Sequence, residues 1–232
     1  MILCIETATN VCSVALCDEK EVIAVREQRD GKLHSAMLTI YINELLYGKK
    51  INPMELQAVA VSKGPGSFTG LRIGVSVAKG ISYGAAIPLI GVDTLTSLFY
   101  GIYPLAEQKN MVNEDTLFCP MIHAKGTEVF YCIFNFKGER IKEISAEAIT
   151  DETFREVPDD KTLVCFGDGA DKCIDLFNHD RHIFIGNFTV SASFMHKPAI
   201  CAFKEKKFEN TAYFEPFYLK DFITTKPKRK VI

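Results

Sequence analysis

Residues 63–74 read Lys-Gly-Pro-Gly-Ser-Phe-Thr-Gly-Leu-Arg-Ile-Gly and follow directly on the apolar run 56–61. A glycine-rich turn between a buried strand and a helix is one place where backbone N–H groups can close on a phosphate. Ser67 or Thr69 is the natural helix cap. Two phosphate motifs nevertheless fail. A P-loop carries Lys-Ser/Thr directly after its last glycine, and here Gly70 is followed by Leu71 and Arg72. The dinucleotide turn needs Gly-x-Gly-x-x-Gly, whereas Gly64, Gly66 and Gly70 are spaced one residue too long and do not follow the first strand. The other reading is close packing. Gly70, Gly74, Ala78 and Ser82 recur every four positions and therefore share one side of the helix. A glycine costs a helix about 1 kcal/mol relative to alanine. Gly70, Gly74 and Gly80 thus imply that a sheet, a second helix or a phosphate comes very near. The rest of the helix is apolar nearly all round, so it is covered on more than one side, by its own domain or by a partner chain.

Other reactive groups are sparse. His34 precedes a helix, His123 sits in a hairpin, His179 and His182 flank Asp-Arg, and His196 stands beside Lys197-Pro198. None has neighbours with metal-ligand spacing. No serine or cysteine occupies a nucleophile elbow. The eight cysteines include no Cys-x-x-Cys, and Cys4, Cys12, Cys17, Cys119, Cys132 and Cys165 lie in strand-like apolar runs. They read as small buried thiols of a reducing compartment. The start, Met1-Ile-Leu-Cys, enters a strand pattern without the basic region of a signal peptide, and no apolar run reaches membrane-spanning length. A cytoplasmic protein without a membrane segment is the expectation. A 47% hydrophobic content with a net charge of −2 excludes a disordered chain and a generally basic nucleic-acid binder. The exception is the run Lys226-Pro-Lys-Arg-Lys230. It is a solvated tail or a contact for RNA phosphates.

The elements that position these residues fall into two series. The first reads as strands 2–6, 11–17 and 21–28, helix 34–47, strand 56–62, helix 67–85, strand 88–92 and helix 93–103. Residues 104–116 are polar, carry Pro104 and read as a linker. The second series repeats the order: strands 117–122, 128–136 and 139–148, a brief helix 150–155, strand 162–166, and a turn Gly167-Asp-Gly169 into helix 170–178. The expected fold is therefore α/β with two ribonuclease-H-like halves. Domains 1–104 and 117–232 are expected, the second less regular.

A pair of such units is the architecture of actin, hexokinase and Hsp70, in which ATP lies between the halves. Its first turn usually reads Asp-x-Gly-x-Thr. Here the residues are Glu6-Thr-Ala-Thr9, so Ala8 adds a Cβ where backbone should meet phosphate. The second hairpin, His123-Ala-Lys-Gly126, carries no carboxylate. Glu6 and Thr9 are a vestigial nucleotide site or ordinary turn residues.

Residues 2–9, 61–74 and the segment Gly91-Val-Asp-Thr-Leu95 together resemble the TsaB (YeaZ) family. The resemblance covers about the first 105 residues specifically. Glu128-Val-Phe-Tyr131, Gly167-Asp-Gly-Ala170 and Pro216-Phe-Tyr-Leu219 extend it more weakly. It implies a degenerate paralogue of TsaD that binds TsaD and the TsaE ATPase in threonylcarbamoylation of the tRNA adenosine beside the anticodon. The metal-binding His-x-x-x-His of TsaD aligns with Thr94 and Leu98, which are not ligands. The expectation is a scaffold with no catalytic residue, no metal and no cofactor. Its partner surface is expected at Met37, Tyr41, Phe68, Gly70, Arg72, Gly74 and Ala78, and the same surface would pair two copies when the chain is alone. The alternatives are a kinase or ATPase of the actin/hexokinase fold, or a metal-dependent glycoprotease.

Overall fold

The computed structural model describes residues 1–29, 34–150, 152–174 and 182–219. The basic run 226–230 and His179 lie outside them. In chain order the elements are β1 (Ile2–Glu6), β2 (Cys12–Cys17), β3 (Val22–Gln28), α1 (His34–Gly48), β4 (Ala58–Gly64), α2 (Phe68–Ala85), β5 (Leu89–Asp93) and α3 (Thr94–Gln108). Then come β6 (Thr116–Lys125), β7 (Glu128–Asn135), β8 (Arg140–Ala148), β9 (Thr162–Phe166), β10 (His182–Ile185) and α4 (His196–Lys204).

The strands form two five-stranded sheets, β3-β2-β1-β4-β5 and β8-β7-β6-β9-β10. In each, the first three strands are antiparallel and the last two join in parallel. The molecule is thus a pair of ribonuclease-H-like halves. The central strands are buried on both faces, which is why β1 is apolar up to Glu6 without alternation.

Strand periodicity sends alternate residues to opposite layers. Leu3 and Ile5 meet Leu38 and Leu45 of α1 and Val75 and Ala78 of α2. Ile2 and Cys4 face Ala192, Met195 and Ala199, which lie near the end of the chain. On the second sheet, Phe99 of α3 packs against Phe118 and Phe134, with ring centroids 5.6 and 4.7 Å away. The two halves therefore exchange layers: α3 follows the first sheet but lies on the second, and α4 follows the second but lies on the first.

Several expectations are corrected. The helix over 93–103 does not stop before Pro104 but continues to Gln108. Proline removes one hydrogen bond there, yet Ile102 and Ala106 are fully buried, and that packing outweighs the loss. The linker is correspondingly shorter. Residues 152–156 are turns rather than a helix. Of the helix expected over 170–178, the turn Ala170–Lys172 is 3₁₀, and 175–178 lie outside the described residues. β10 and α4 were not anticipated. β10 is a four-residue edge strand, and Lys197-Pro198 interrupts the apolar pattern of α4. All eight cysteines are free and seven are buried, in keeping with the thiol reading. No helix among the described residues is long and apolar enough to cross a membrane.

Candidate functional site

The turn after β4 is built around close approach. Ser67 caps α2, its Oγ accepting from the Gly70 N–H at 3.3 Å. Gly64 adopts φ +110°, a conformation L side chains avoid. A Cβ on Gly66 would strike the Ala8 carbonyl, one on Gly70 the Thr7 carbonyl, and one on Gly74 the Thr7 hydroxyl. What approaches the small-residue row is the end of β1 in the same chain. Gly70, Gly74 and Ala78 are buried there, and Ser82 is buried against Ile87 and Thr211. This corrects the expectation that Gly70, Gly74 and Ala78 present themselves to another molecule. The four-residue spacing says that they share a side, and β1 occupies that side.

The remaining sides of α2 are different. Arg72 and Ser76 are exposed, Phe68, Ile73 and Val77 are half-buried, and a Cβ on Gly80 or Gly84 would meet nothing within 4 Å. Beside it, α1 buries Leu38, Ile42, Leu45 and Leu46 and turns Ile40 and Tyr47 outward. Ile40 is 45% exposed, Tyr47 89% and Tyr83 85%. Met37 and Tyr41 lean against the core instead, and the Tyr41 hydroxyl donates to Gln28 Oε1 at 3.3 Å. A shallow groove of about 520 Å³ runs between the helix starts, bordered by Ser35, Phe68, Arg72, Ile73 and Val77.

A second concavity of about 880 Å³ separates the two halves, between the hairpin after β1, the α2 turn and the β6–β7 hairpin. Thr9 borders it, whereas Glu6 is completely buried. Several main-chain amides around this hairpin are already used. The Ala8 N–H donates to Glu6 Oε1 at 2.7 Å, the Ser67 N–H to the Ala8 carbonyl at 2.6 Å, the Val11 N–H to Thr9 Oγ1 at 3.2 Å and the Thr7 N–H to Ser62 Oγ at 3.3 Å. The amide at Ala8, where the nucleotide-binding turn carries glycine, is thus committed to Glu6. Burial pushes the Glu6 carboxyl up to about 7, against the downward pull of the Ala8 N–H. Its Oε2 has no partner, a state that favours the protonated acid.

The second half repeats this device with a carboxylate in another place. Gly167, at φ +104°, comes up against the Met121 carbonyl, which also accepts from the Gly169 N–H at 3.1 Å. Between them Asp168 accepts from the His123 N–H at 3.1 Å, and burial raises its pKa. The hairpin that is acid-free in sequence thus receives a carboxylate from a turn 45 residues away. His123 Nε2 lies 3.0 Å from the Gly126 carbonyl, His34 Nε2 3.1 Å from Val11 and His196 Nε2 3.0 Å from Asp18. Each of these ring nitrogens faces a main-chain carbonyl, which can only accept, and so donates its proton there.

At the start of α3, Asp93 accepts from the Thr96 N–H at 2.8 Å as helix cap. It also meets the Arg140 guanidinium at 3.2 Å, and Arg140 donates to Thr96 Oγ1 at 2.9 Å. A guanidinium against the only carboxylate of the segment 92–98 does not fit a cation site, and Leu98 is buried in the α3 core. No group of three or more His, Cys, Asp or Glu among the described residues is disposed to hold a metal.

The class is then a paired ribonuclease-H-like fold whose first hairpin ties its Ala8 amide to a buried Glu6 and whose first half carries an exposed two-helix face. A family model described as TsaD, tRNA N6-adenosine threonylcarbamoyltransferase, matches residues 25–226. The TsaB tRNA threonylcarbamoyladenosine biosynthesis protein of Escherichia coli is 28% identical over 97% of this chain and 96% of its own length. That of Buchnera aphidicola (Acyrthosiphon pisum) is 30% identical over 71% of this chain and 73% of its own length. YeaZ from Pseudomonas aeruginosa has the same fold, with a TM-score of 0.79 at 23% identity, over 94% of this chain and 99% of that one. The chain belongs to the TsaD family and, within it, to the TsaB (YeaZ) proteins of tRNA threonylcarbamoyladenosine biosynthesis.

Proposed function

We propose that this chain is a non-catalytic subunit in threonylcarbamoyl transfer to the tRNA adenosine beside the anticodon. It docks a TsaD-like catalytic subunit on the outer face of α1 and α2, and the pair recruits a TsaE-like ATPase. The observation that carries this reading is the apolar, small-residue stripe of Ile73, Val77, Gly80 and Gly84 next to Ile40 and Tyr47, a surface that another helix pair matches. Phe68 and Arg72 stand at its edge and stay in the interface. The contact moves from the Gly70–Gly74–Ala78 side of α2 to the Ile73–Val77–Gly80 side. Without the partner, two copies of the chain pair through the same stripe.

The silent chemistry rests on the Ala8 amide committed to Glu6 and on Arg140 in the metal-site region. The purified chain is expected neither to turn over ATP nor to carry stoichiometric iron or zinc. Steady hydrolysis lost in Glu6→Ala would reverse that. The docking test is co-purification of Val77→Arg with the TsaD-like protein of the same genome, beside a thermal melt. A well-folded Val77→Arg protein that still binds would move the interface elsewhere.

A further inference from the structure

The chain end does not stop at α4 but crosses back to the first half. The Glu209 N–H donates to the Leu89 carbonyl at 2.8 Å, extending the β5 edge. Thr211 Oγ1 lies 3.2 Å from Ser82 Oγ, and Lys79 Nζ bonds to the carbonyls of Ala212 and Phe214 at 3.1 Å each. The Phe217 N–H donates to the Lys63 carbonyl at 2.6 Å. Thus 209–217 is a strap fastened along β5, α2 and β4, with its own main chain as the partner in every bond but that of Thr211.

Beyond Phe217 the fastening changes in kind. Tyr218 is held by side chains: its hydroxyl accepts from Arg72 Nε at 3.0 Å, and its ring lies 5.0 Å from that of Phe68. The Arg72 guanidinium in turn sits 3.9 Å over the Phe68 ring. Phe217, Tyr218 and Leu219 also form one wall of the inter-half cleft. Arg72 and Phe68 border the groove on the α1/α2 face. Phe68 borders both concavities, and Tyr218, in the wall of the cleft, is bound to the two groove residues Phe68 and Arg72.

We propose that Tyr218 is a latch that holds the strap's end over the cleft, and that docking on the α1/α2 face releases it. This rests on the docking reading above. The chemistry of release is a competition for Arg72. A neutral phenol oxygen is a weaker acceptor for a guanidinium than a carboxylate, which forms a charge-assisted and often bidentate bond. A partner that brings a carboxylate to the edge of α2 takes Arg72 away from Tyr218. With its hydroxyl bond gone, the end of the strap swings out and the cleft widens. By reciprocity, whatever the latch costs the partner, its removal returns to the partner's affinity.

The experiment is hydrogen exchange on the full chain, free and saturated with the TsaD-like subunit of the same genome, alongside Tyr218→Phe, which keeps the ring and loses the hydroxyl. Docking is expected to slow exchange in 69–84 and to speed it at 217–219, where the Phe217 N–H bonded to Lys63 is the reporting amide and frays once Tyr218 lets go, by about tenfold, the factor for one contact of 1.4 kcal/mol. Tyr218→Phe is expected to show the fast 217–219 exchange without partner and to bind the partner more tightly, with an unchanged melt. If 69–84 slows while 217–219 stays slow or slows further, the latch is overturned and the docking face stands. If 69–84 does not change, docking and latch both fall. Weaker partner binding by Tyr218→Phe makes Tyr218 part of the contact and also overturns the latch.

Discussion

The two halves share a strand order and differ in what covers it. The first sheet has α1 and α2, 15 and 18 residues long, on one face. The corresponding face of the second is closed by Ile149, Phe154 and the short turn Ala170–Lys172. That second core is still sealed: Met121, Tyr131 and Leu163 are fully buried. Among the described residues, that core is closed without a long crossover helix. On the docking reading, the length of α1 and α2 and their outward apolar stripe answer to a partner helix pair as well as to their own sheet. The turns tell the same story from the inside. Gly66 and Gly167 do the same job against the Ala8 and Met121 carbonyls, so those glycines belong to the shared fold and not to the first half's task.

The strongest way to break this comparison is to load the two sides of α2 separately. Gly74→Leu drives a side chain into Thr7 and is expected to cost roughly 4 kcal/mol, above the usual overpacking range because β1 cannot yield. Gly80→Leu meets open space and is expected to raise stability by about 1 kcal/mol while abolishing docking. Denaturant melts and co-purification of both variants check this. Equal destabilisation would erase the distinction between an inner and an outer row.

A second test sets the buried acids against each other. The Glu6 pKa is raised from 4.5 unfolded to about 7 folded. The native state thus binds the proton more tightly, and stability is full below 4.5 and is lost as pH rises through about 7. The loss is expected to approach about 3 kcal/mol. Glu6→Gln should flatten that slope in urea melts taken from pH 5 to 8. Asp168 is shifted in the same direction, so Asp168→Asn should flatten the same curve. A wild-type curve that rises between pH 5 and 7 would mean that Glu6 is ionised in the fold.

Smaller effects follow where the halves meet and where the chain ends. Arg140→Gln removes the bridge to Asp93 and is expected to cost about 2 kcal/mol, since the pair is partly buried. Deleting 224–232 should leave the melt unchanged, because Lys- and Pro-rich sequence buries little. If the tail meets tRNA, the deletion flattens the salt dependence of tRNA binding by the complex. An unchanged slope leaves it a solvated end.

Local chemistry made much of this legible. Apolar runs ended by glycine marked β4 and β9, and the apolar run before Glu6 marked β1. Ser67 and Asp93 marked helix starts, and the repetition of order marked two halves. What stayed hidden depends on distant neighbours. Spacing put Gly70, Gly74 and Ala78 on one side of α2, but only β1 decides that this side faces inward. Asp168 and His123 are 45 residues apart, so no window of sequence joins them. Pro104 argued for a stop that Ile102 and Ala106, packed on a sheet not yet made, overrule. The same holds for Tyr218, whose partners on α2 lie 146 and 150 residues earlier.

The exchange of layers between the halves also sets a schedule for synthesis. The first sheet's Ile2–Cys4 face is covered by residues from Ala192 to Phe203. A ribosome that has delivered the first five strands has made a sheet with one dry side and one side still open to water. That side must wait for almost the whole chain, exposing strand surface of the kind that invites aggregation. The halves therefore do not mature one after the other on the ribosome. A nascent chain halted near residue 110 is expected to be a client for chaperones, and the finished protein to unfold as one cooperative unit.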